Sequence, residues 1–392
     1  MRRRLSSISI NIRPSLMFKI LEKAKEMEGK GVSIIHLEKG EPEFGTPKEI
    51  IDEAKDSMDK GYTVLTPSMG YIELREAIAE YLNETYDLAI NGENEVIVVP
   101  GAKFGMYAAL AAICEQGDEV LCASPFFPPH REAVEIVGGK FVPVPLIHDG
   151  NTLELRKRDL EERLTQDTRA ILVTYPHNPT GWVPTEEEIK SIVNFSAEHQ
   201  LMVISDEVYD RLNFDGIRHR TMLSFDSIRE NCIYINSFSK TFAMTGWRLG
   251  YCVAQEDLVT AMVKIQQNVT THACSIAQRA GIAAIKKALY FSSNAVDVYE
   301  KRRNVLLEEL GQIPRIQPIK PRGGFFVFID ISELGISSVE FADQILEDFQ
   351  IALCPGSAFG VEWDQYVRIS MTEDSEKLAM FVDRLKEFVM RF

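Results

Sequence analysis

Residues 237–251 read Ser-Phe-Ser-Lys-Thr-Phe-Ala-Met-Thr-Gly-Trp-Arg-Leu-Gly-Tyr, and no other stretch of the chain carries as much chemical information. Lys240 is flanked by small hydroxyl residues, and Arg248 follows eight positions later. A lysine amine can form a Schiff base with an aldehyde, while hydroxyls and a guanidinium can hold a phosphate. Pyridoxal phosphate carries both groups, so the stretch predicts a site for that cofactor.

The context of this stretch supports the same hypothesis. On its own, a Ser-x-Ser-Lys sequence also suits a Ser/Thr-rich surface loop with incidental cations. Here the strand-like run at 232–236 leads straight into Lys240, and open α/β sheets place their chemistry at the ends of buried strands. The whole run resembles the lysine signature of the class I/II aminotransferases, which belong to the fold-type I pyridoxal-phosphate enzymes.

Composition narrows the class of protein. The chain has 392 residues, 45% hydrophobic and 26% charged, which is typical of a globular protein of two domains. Its net charge of −15 disfavours nucleic acid and anionic membranes as partners, and no apolar run reaches the ~20 residues of a membrane helix. Arginines at 2–4 could suggest an organelle address, but the predicted helix from Leu16 to Glu28 is rich in acids and lysines. No signal-peptide core is found that would indicate secretion. Six scattered cysteines without a Cys-x-x-Cys pair favour a reduced, cytoplasmic protein without a metal site.

The pattern between residues 95 and 255 predicts alternating strands and helices. Short β-branched runs bounded by Gly or Pro indicate strands, and amphipathic segments between them indicate helices, so we expect a largely parallel sheet with helices on both faces. The predicted strands are 95–100, 119–124, 140–146, 169–175, 201–206, 232–237 and 249–254, and the predicted helices are 102–115, 128–138, 156–165 and 185–199.

After residue 255 the pattern changes to a smaller α+β unit. Helices are predicted at 256–287, 292–311, 338–349 and 375–391, with strands at 320–331 and 366–370. The fold class predicted with the help of the resemblance is a three-layer α/β/α large domain with a mostly parallel seven-stranded sheet, plus a smaller α+β domain. We assign 46–289 to the large cofactor-binding domain, and 1–45 with 290–392 to the small one.

Three polar side chains are candidates to hold the cofactor ring. Asp206 ends a predicted strand, where a carboxylate could pair with a protonated pyridine nitrogen, although it could also simply cap a turn. The resemblance assigns it the first role, because Asp-Glu-Val-Tyr at 206–209 matches the family. It also implies that Tyr209 and Asn178, in Asn-Pro-Thr-Gly, bind the phenolic oxygen of the cofactor. Tyr209 could otherwise be an ordinary aromatic at a domain seam.

A second group is expected to hold the phosphate and the ring face. Gly101 lies between a strand and an apolar helix, and helix N-termini bind phosphate well. The resemblance implies a cup formed by Gly101, Ala102, Lys103, Ser237, Ser239 and Arg248. It also implies that Phe127 stacks on the pyridine ring, although Phe127 also suits a core position. His130 follows close behind, as a residue touching Asp206 or as a surface histidine.

The expected substrate site centres on Arg368 in a predicted late strand. A guanidinium clamps a carboxylate through two hydrogen bonds, although strand arginines more often form surface ion pairs. The resemblance implies that Arg368 binds the α-carboxylate, with Gly40 and Asn178 also on the substrate side. Lys103 follows Gly-Ala where one bacterial aspartate aminotransferase branch has a lysine for the distal carboxylate. Phe104, Met106 and Met244 would equally suit a substrate with an aromatic or aliphatic side chain.

One position departs from the family pattern. The stretch that resembles the family's Tyr-Thr-Pro has Leu65 in place of the tyrosine, which usually reaches the cofactor phosphate of the partner subunit. Tyr62 lies three residues earlier and could replace it. We expect either a weakened phosphate contact or compensation by Tyr62.

The resemblance runs from about residue 37 to 370 and implies an aminotransferase that acts as a homodimer. Lys240 would bind the cofactor and then serve as general acid and base, with Asp206 and Tyr209 as catalytic partners. A carbon–sulfur β-lyase or related synthase on the same scaffold is the first alternative, because the same residues serve it. A non-enzymatic cofactor-binding regulator is the second.

Overall fold

The computed structural model describes residues 5–12, 16–148 and 152–392 of the chain. The arginines at 2–4 lie outside the described residues. The α-helices are α1 (Ser7–Asn11), α2 (Leu16–Glu28), α3 (Lys48–Asp59), α4 (Ile72–Tyr86), α5 (Ala102–Ile113), α6 (Pro128–Ile136), α7 (Lys157–Glu161), α8 (Glu186–Glu198), α9 (Phe238–Thr241), α10 (Glu256–Val269), α11 (Ser275–Lys287), α12 (Tyr290–Leu310), α13 (Ser338–Phe349) and α14 (Ser375–Val389).

The strands include all seven that were predicted between residues 95 and 255. They are β1 (Ile35–His36), β2 (Val96–Val99), β3 (Glu119–Ser124), β4 (Lys140–Pro145), β5 (Ile147–His148), β6 (Leu153–Glu154), β7 (Thr168–Thr174), β8 (Met202–Asp206), β9 (Cys232–Ser237), β10 (Gly250–Val253), β11 (Gln317–Ile319), β12 (Phe326–Asp330), β13 (Ile351–Ala352), β14 (Cys354–Pro355) and β15 (Tyr366–Ser370).

A seven-stranded sheet organises most of the chain. Its order is β2-β10-β9-β8-β7-β3-β4, and β10 alone runs antiparallel to its neighbours. The predicted mostly parallel sheet is therefore confirmed. Because the other strands share one direction, their carboxyl ends meet at one edge, which is where ligands bind in open α/β sheets.

Both faces of this sheet are covered. Along β2, Val96 and Val98 belong to one buried cluster and Ile97 and Val99 to another. Successive side chains of a strand point to opposite faces, so the two clusters are the two helix–sheet layers. This is the three-layer α/β/α arrangement expected from the alternating pattern.

A second, antiparallel sheet lies outside these layers. Its order is β11-β12-β15-β14, and its buried cluster includes residues of α2, α12, α13 and α14. The short strand β1 pairs in parallel with β13, which attaches the segment after α2 to this unit. The predicted smaller α+β unit is confirmed, and β15 presents Arg368 from it.

Some predicted bounds are wrong. The predicted helix 256–287 is two helices, α10 and α11, separated by residues 270–274, where Thr271 adopts a left-handed φ of 67°. The predicted helix 156–165 is only the five-residue α7. The predicted strand 320–331 is a strand only from Phe326 to Asp330, because Gly324 turns the chain with a φ of 72°. The helices α3 and α4 are not among the predicted elements.

Candidate active site

Lys240 lies at the carboxyl edge of the large sheet, on the four-residue helix α9 that follows β9 directly. Ser237 caps this helix by accepting a hydrogen bond from the amide of Ser239. The Nζ of Lys240 donates to the carbonyl oxygen of Gly40. It also lies 5.6 Å from the ring centroid of Phe325 and 5.9 Å from that of Tyr209. The amine is therefore held in a cleft lined by aromatic rings, with its backbone fixed by the cap.

The surroundings of Lys240 favour its neutral form. Burial lowers the pKa of its amine to about 8, because a charged ammonium loses water there. The positive charges of Arg368, Arg248 and Lys103 lower it further, while Glu41 opposes the shift. A primary amine with a pKa near 8 is available as a nucleophile or a base close to neutral pH.

The predicted phosphate-binding turn lies between β2 and α5. Gly101 has a φ of 84°, and a Cβ there would lie 2.4 Å from Nη2 of Arg248. The missing side chain thus lets the guanidinium approach the start of α5. Within the described part of the chain, no group accepts a hydrogen bond from the backbone amides of Ala102 or Lys103. Two free N–H groups and a guanidinium form a positive concavity at this helix N-terminus.

Two predicted hydroxyls lie at the end of β9. The Oγ of Ser237 lies 2.9 Å from the Oγ of Ser239, and it also donates to the carbonyl of Leu249 over 3.1 Å. Both serines are buried. The hydroxyl of Ser239 retains capacity to donate, because hydroxyls can rotate to suit a ligand.

Asp206 ends β8 and is buried, with 7% of its surface exposed. Its Oδ2 lies 2.9 Å from Nε2 of His130, and its Oδ1 accepts weakly from the amide of Val208 at 3.4 Å. His130 is only 3% exposed, so the surface-histidine alternative is wrong. The ring of Phe127 stands edge-on to His130 with centroids 5.4 Å apart.

Tyr209 and Asn178 lie together at the same edge. The side chain of Asn178 is a hydrogen-bonding partner of the Tyr209 hydroxyl. Burial raises the pKa of Tyr209 well above its ordinary value, so the hydroxyl keeps its proton and can donate it in a hydrogen bond. Asn178 follows β7 and also accepts from Nη1 of Arg368 over 3.1 Å.

Arg368 brings the small sheet to this site. It is 2% exposed, and its Nη2 donates to the carbonyl of Glu38 over 2.6 Å. Its guanidinium carbon lies 4.2 Å from the ring centroid of Phe326 and 5.1 Å from that of Phe359. Among the described residues, no carboxylate lies within ion-pair distance of Arg368, and its Nε has no partner. A buried cation without a counter-ion is suited to an anionic ligand.

The aromatic support of Arg368 is a feature that the motifs did not predict. Phe359 ends the helical turn Gly356–Phe359, which follows β14, and no role was predicted for it. Phe326 belongs to the run Gly-Gly-Phe-Phe-Val-Phe at 323–328, whose aromatic density was the available signal. Gly40 packs on Phe326, because a Cβ on Gly40 would lie 3.4 Å from its Cζ. Gly40 and Arg368 therefore share one aromatic wall.

The remaining predicted residues lie further out. Lys103 is exposed, with its Nζ 5.6 Å from the ring centroid of Phe127, and burial of its stem together with the charge of Arg248 lowers its pKa. Leu65 is 77% exposed. Tyr62 packs edge-on to Tyr71, with centroids 6.0 Å apart.

The cleft thus combines a lysine amine of lowered pKa, a free helix N-terminus, a buried carboxylate and a buried guanidinium. These are the components that amine–carbonyl chemistry on a carboxylate-bearing molecule requires. The geometry defines an enzyme of that class.

Comparison with known proteins identifies the family. The model of the family "Aminotransferase class I and II" matches residues 32–385. Aromatic-amino-acid aminotransferase 2 of Thermococcus litoralis is 37% identical over 380 residues, which are 96% of each chain. The aspartate aminotransferase of Pyrococcus horikoshii is also 37% identical over 380 residues, 96% of this chain and 95% of that one.

Comparison with solved structures identifies the same family. The aspartate aminotransferase from Thermus thermophilus, solved with maleate, superposes with a TM-score of 0.93 at 31% identity, covering 98% of this chain and 99% of that one. The aromatic aminotransferase from Pyrococcus horikoshii gives 0.87 at 37% identity, covering 95% and 99%. The chain belongs to the class I and II aminotransferase family, has its fold-type I architecture, and is an aminotransferase. Within the described residues, no helix is long and apolar enough to cross a membrane.

Proposed function

We propose that this aminotransferase holds pyridoxal 5'-phosphate through Lys240 and prefers aspartate or glutamate as amino donor. The observation that carries the proposal is the position of Lys240. Its amine, with a pKa of about 8, lies on the turn after β9, at the sheet edge shared with Asp206 and the free amides of α5.

The residues of the cleft fit each part of the cofactor. The amides of Ala102 and Lys103, the serine hydroxyls and Arg248 suit a phosphate, because they are donors or cations without an anionic partner. Asp206 is an acceptor suited to a protonated ring nitrogen, and His130 holds its other side. Tyr209 and Asn178 offer donors for the phenolic oxygen. Phe127 is the aromatic ring available for stacking.

Each of these side chains has a defined task in the reaction. When bound, pyridoxal phosphate supplies an aldehyde for the substrate amine and a ring that accepts electrons. The Nζ of Lys240 takes the proton from the α-carbon of the amino acid and later returns one. The carboxylate of Asp206 keeps a proton on the ring nitrogen. Arg368 orients the α-carboxylate, so that the α-hydrogen faces Lys240.

The proposed preference for dicarboxylic substrates rests on charge. Among the described residues, the cations Lys103, Arg248 and Arg368 lower the pKa of Lys240, and the carboxylate of Glu41 opposes them. Arg248 is assigned to the phosphate and Arg368 to the α-carboxylate. Lys103 is then left for a distal carboxylate. The relatives carry the names of both aspartate and aromatic-amino-acid aminotransferases, so Lys103 is the basis for the choice.

We also propose a homodimer with the active site at the subunit boundary. Val64, Leu65 and Val269 are 69%, 77% and 57% exposed, which is unusual for large apolar side chains. They lie on two segments tied together, because the Oγ of Ser275 donates to the carbonyl of Tyr62 over 2.8 Å. Burial of these segments against a second copy would remove this apolar surface from water.

The cofactor assignment is tested by chemical trapping. The purified protein should be yellow, and borohydride should abolish its visible absorbance and fix the cofactor covalently. Peptide mapping should find the adduct on Lys240, while an adduct on another lysine would overturn the assignment. A Lys240→Met variant is the matched control and should give no adduct.

The substrate assignment is tested by a screen of amino donors against 2-oxoglutarate and pyruvate. We expect aspartate or glutamate to give the highest kcat/KM. Regeneration of the cofactor by a 2-oxo acid after one turnover distinguishes transamination from the β-lyase alternative, which releases its products without needing the oxo acid.

A further inference from the structure

The segment from His36 to Gly40 connects the two halves of the cleft. The amide of Leu37 donates to Ala352, and the carbonyl of Leu37 accepts from Ser370, which ties the segment to the small unit. The next carbonyl, of Glu38, accepts from Nη2 of Arg368, and that of Gly40 accepts from Nζ of Lys240. The position of this short backbone therefore sets the geometry of both cations.

His36 fixes the side chains of this segment. Its Nδ1 lies 2.8 Å from Oε1 of Glu38, and its Nε2 lies 3.1 Å from Oε1 of Glu28 at the end of α2. The imidazole and Glu38 are buried, with 9% and 3% of their side chains exposed. Ionised carboxylates only accept hydrogen bonds, so a doubly protonated ring satisfies both contacts, whereas a neutral ring turns a lone pair toward one of them.

The carboxylate of Glu38 depends on its contact with His36. Its Oε2 is buried and has no hydrogen-bond partner among the described residues, so the imidazolium is the main compensation for a buried carboxylate. Without the positive charge, the buried carboxylate of Glu38 would lose its main compensation and would turn toward water. Such a movement would displace the backbone of Glu38, whose carbonyl accepts from Arg368.

We propose that His36, in its imidazolium form, is a positioning residue that ties α2 to Glu38 and thereby holds Arg368 ready for the substrate carboxylate. The inference rests on the proposed role of Arg368 as the carboxylate-binding residue. It assigns His36 no contact with substrate or cofactor. His36 acts through the backbone of Glu38.

The hydrogen-bonded link from α2 through His36 to Glu38 depends on pH in a defined direction. The hydrogen bond to Glu38 raises the pKa of His36 above its ordinary 6.5, with a further contribution from Glu28, while burial and Lys39 oppose the shift. A group with a raised folded-state pKa keeps its interaction below the unfolded value and loses it as pH rises through the folded value. Carboxylate binding should therefore weaken as pH rises through the pKa of His36.

Charged groups from three elements face the His36–Glu38 contact. They are Glu28 and Lys25 on α2, Glu38 and Lys39 on the segment of His36 itself, and Arg368 on β15. The neighbouring strand β13 presents the apolar residues Ile351 and Ala352.

The experiment measures maleate binding to the holoenzyme by calorimetry between about pH 6 and 9. Maleate has two carboxylates and no amine, so it reports carboxylate binding without the amino-transfer chemistry. His36→Gln should weaken maleate binding about three- to tenfold at the low end of this range, since a bond to a charged group is disturbed. The difference from wild type should shrink as pH rises. His36→Gln should also raise KM for aspartate while leaving kcat nearly unchanged.

A second measurement does not involve binding at all. With histidine labelled by ¹³C at Cε1, the NMR signal that is lost in His36→Gln should titrate above 6.5. Glu28→Gln removes the carboxylate on the more exposed side of the imidazole, where 44% of the Glu28 side chain is exposed. Glu28→Gln should lower the pKa of His36, because the Glu28 contact raises it, and it should also weaken maleate binding. The exposed His199 gives the matched control His199→Gln, which should change neither quantity.

Arg368→Lys separates failure of this inference from failure of the proposed function. If Arg368→Lys weakens maleate binding but the His36 and Glu28 variants bind it like wild type, the positioning role is wrong and the carboxylate site stands. If Arg368→Lys has no effect, the carboxylate site itself is wrong and the inference falls with it. A lower Tm in His36→Gln with unchanged maleate affinity at every pH would also overturn the positioning role.

Discussion

The Nε2 of His130 lies 2.9 Å from the Oδ2 of Asp206, and both side chains are almost completely buried. The contact joins the first turn of α6 to the end of β8, which are separate elements of the large unit. Among the described residues, the other carboxylate oxygen accepts only a weak bond, from the amide of Val208. His130 thus holds the Oδ2 of Asp206, while the Oδ1 is available to a ligand.

Asp206→Asn should bind the cofactor but lose most of its turnover. The neutral amide cannot keep a proton on the ring nitrogen, so electrons from the α-carbon lose their acceptor. A shift of one pKa unit corresponds to about 1.4 kcal/mol, and a buried opposite charge can shift the pKa of the ring nitrogen by several units. We therefore expect kcat to fall about a hundredfold or more. Stopped-flow measurement of the first half-reaction checks this.

The control for that experiment is His130→Gln, which keeps the carboxylate and replaces the ring behind it. We expect a smaller loss, because the charge on Asp206 remains. A near-normal kcat in Asp206→Asn would show that the carboxylate is structural.

The lowered pKa of Lys240 predicts how fast the cofactor-free protein captures pyridoxal phosphate. Below about pH 8 most of the amine is protonated and cannot attack the aldehyde, and above that value it is free. The rate of capture should therefore rise with pH and level off above about 8, whereas an unshifted lysine would continue to gain up to its ordinary 10.5. Absorbance after mixing, measured across this range, gives the midpoint.

The variant Arg248→Gln tests one cause of that shift. Arg248 is one of the charges that lower the pKa of Lys240, so its removal should move the midpoint upward. Capture that shows no midpoint near pH 8 in wild type would contradict the prediction.

Lys103→Ala should reduce activity selectively toward acidic substrates. A charge-assisted hydrogen bond is typically worth about 1.5–3 kcal/mol, so kcat/KM for aspartate or glutamate should fall about ten- to a hundredfold. Activity with alanine or phenylalanine should be spared. Unchanged activity with both classes of substrate would mean that Lys103 serves only through its backbone amide, which the substitution retains. Equal losses for acidic and neutral substrates would also contradict a role of Lys103 in selecting acidic substrates.

Local sequence patterns were enough to predict most of the large unit. β-branched runs such as 232–237 form buried strands at the expected positions, because short apolar segments bounded by turn residues have few other stable states. The predicted helix 185–199 is confirmed as α8, because Thr185 and Glu188 cap its start through contacts that are local in sequence. Lys240 follows its strand for the same local reason.

Features that depend on distant contacts were not predictable in this way. The break between α10 and α11 contains neither Gly nor Pro and depends on glutamine side chains that bond a distant loop. The Nε2 of Gln266 donates to the carbonyls of Ser68 and Val98, and that of Gln278 donates to Thr66. The link from His36 to Arg368 is equally invisible, because Glu28, Glu38 and Arg368 meet only in the folded chain.

Leu65 tests whether the departure from the family pattern has a cost. Its side chain is 77% exposed in the single chain, on the loop proposed to reach the partner subunit. An apolar side chain cannot donate to a phosphate oxygen, and one hydrogen bond to a charged group is worth about 1.5–3 kcal/mol. Leu65→Tyr should therefore slow dissociation of pyridoxal phosphate about tenfold or more, if the tyrosine hydroxyl reaches the phosphate.

Tyr62 is the rival source of that contact, and the structure indicates how it is held. Its ring packs against Tyr71 and under the guanidinium of Arg279, whose carbon lies 4.6 Å from the ring centroid. These contacts favour a packing role, so Tyr62→Phe should leave the dissociation rate unchanged. Rates measured for wild type, Leu65→Tyr and Tyr62→Phe decide the question. If Tyr62→Phe alone speeds dissociation, the hydroxyl of Tyr62 already makes the contact and Leu65 is no defect.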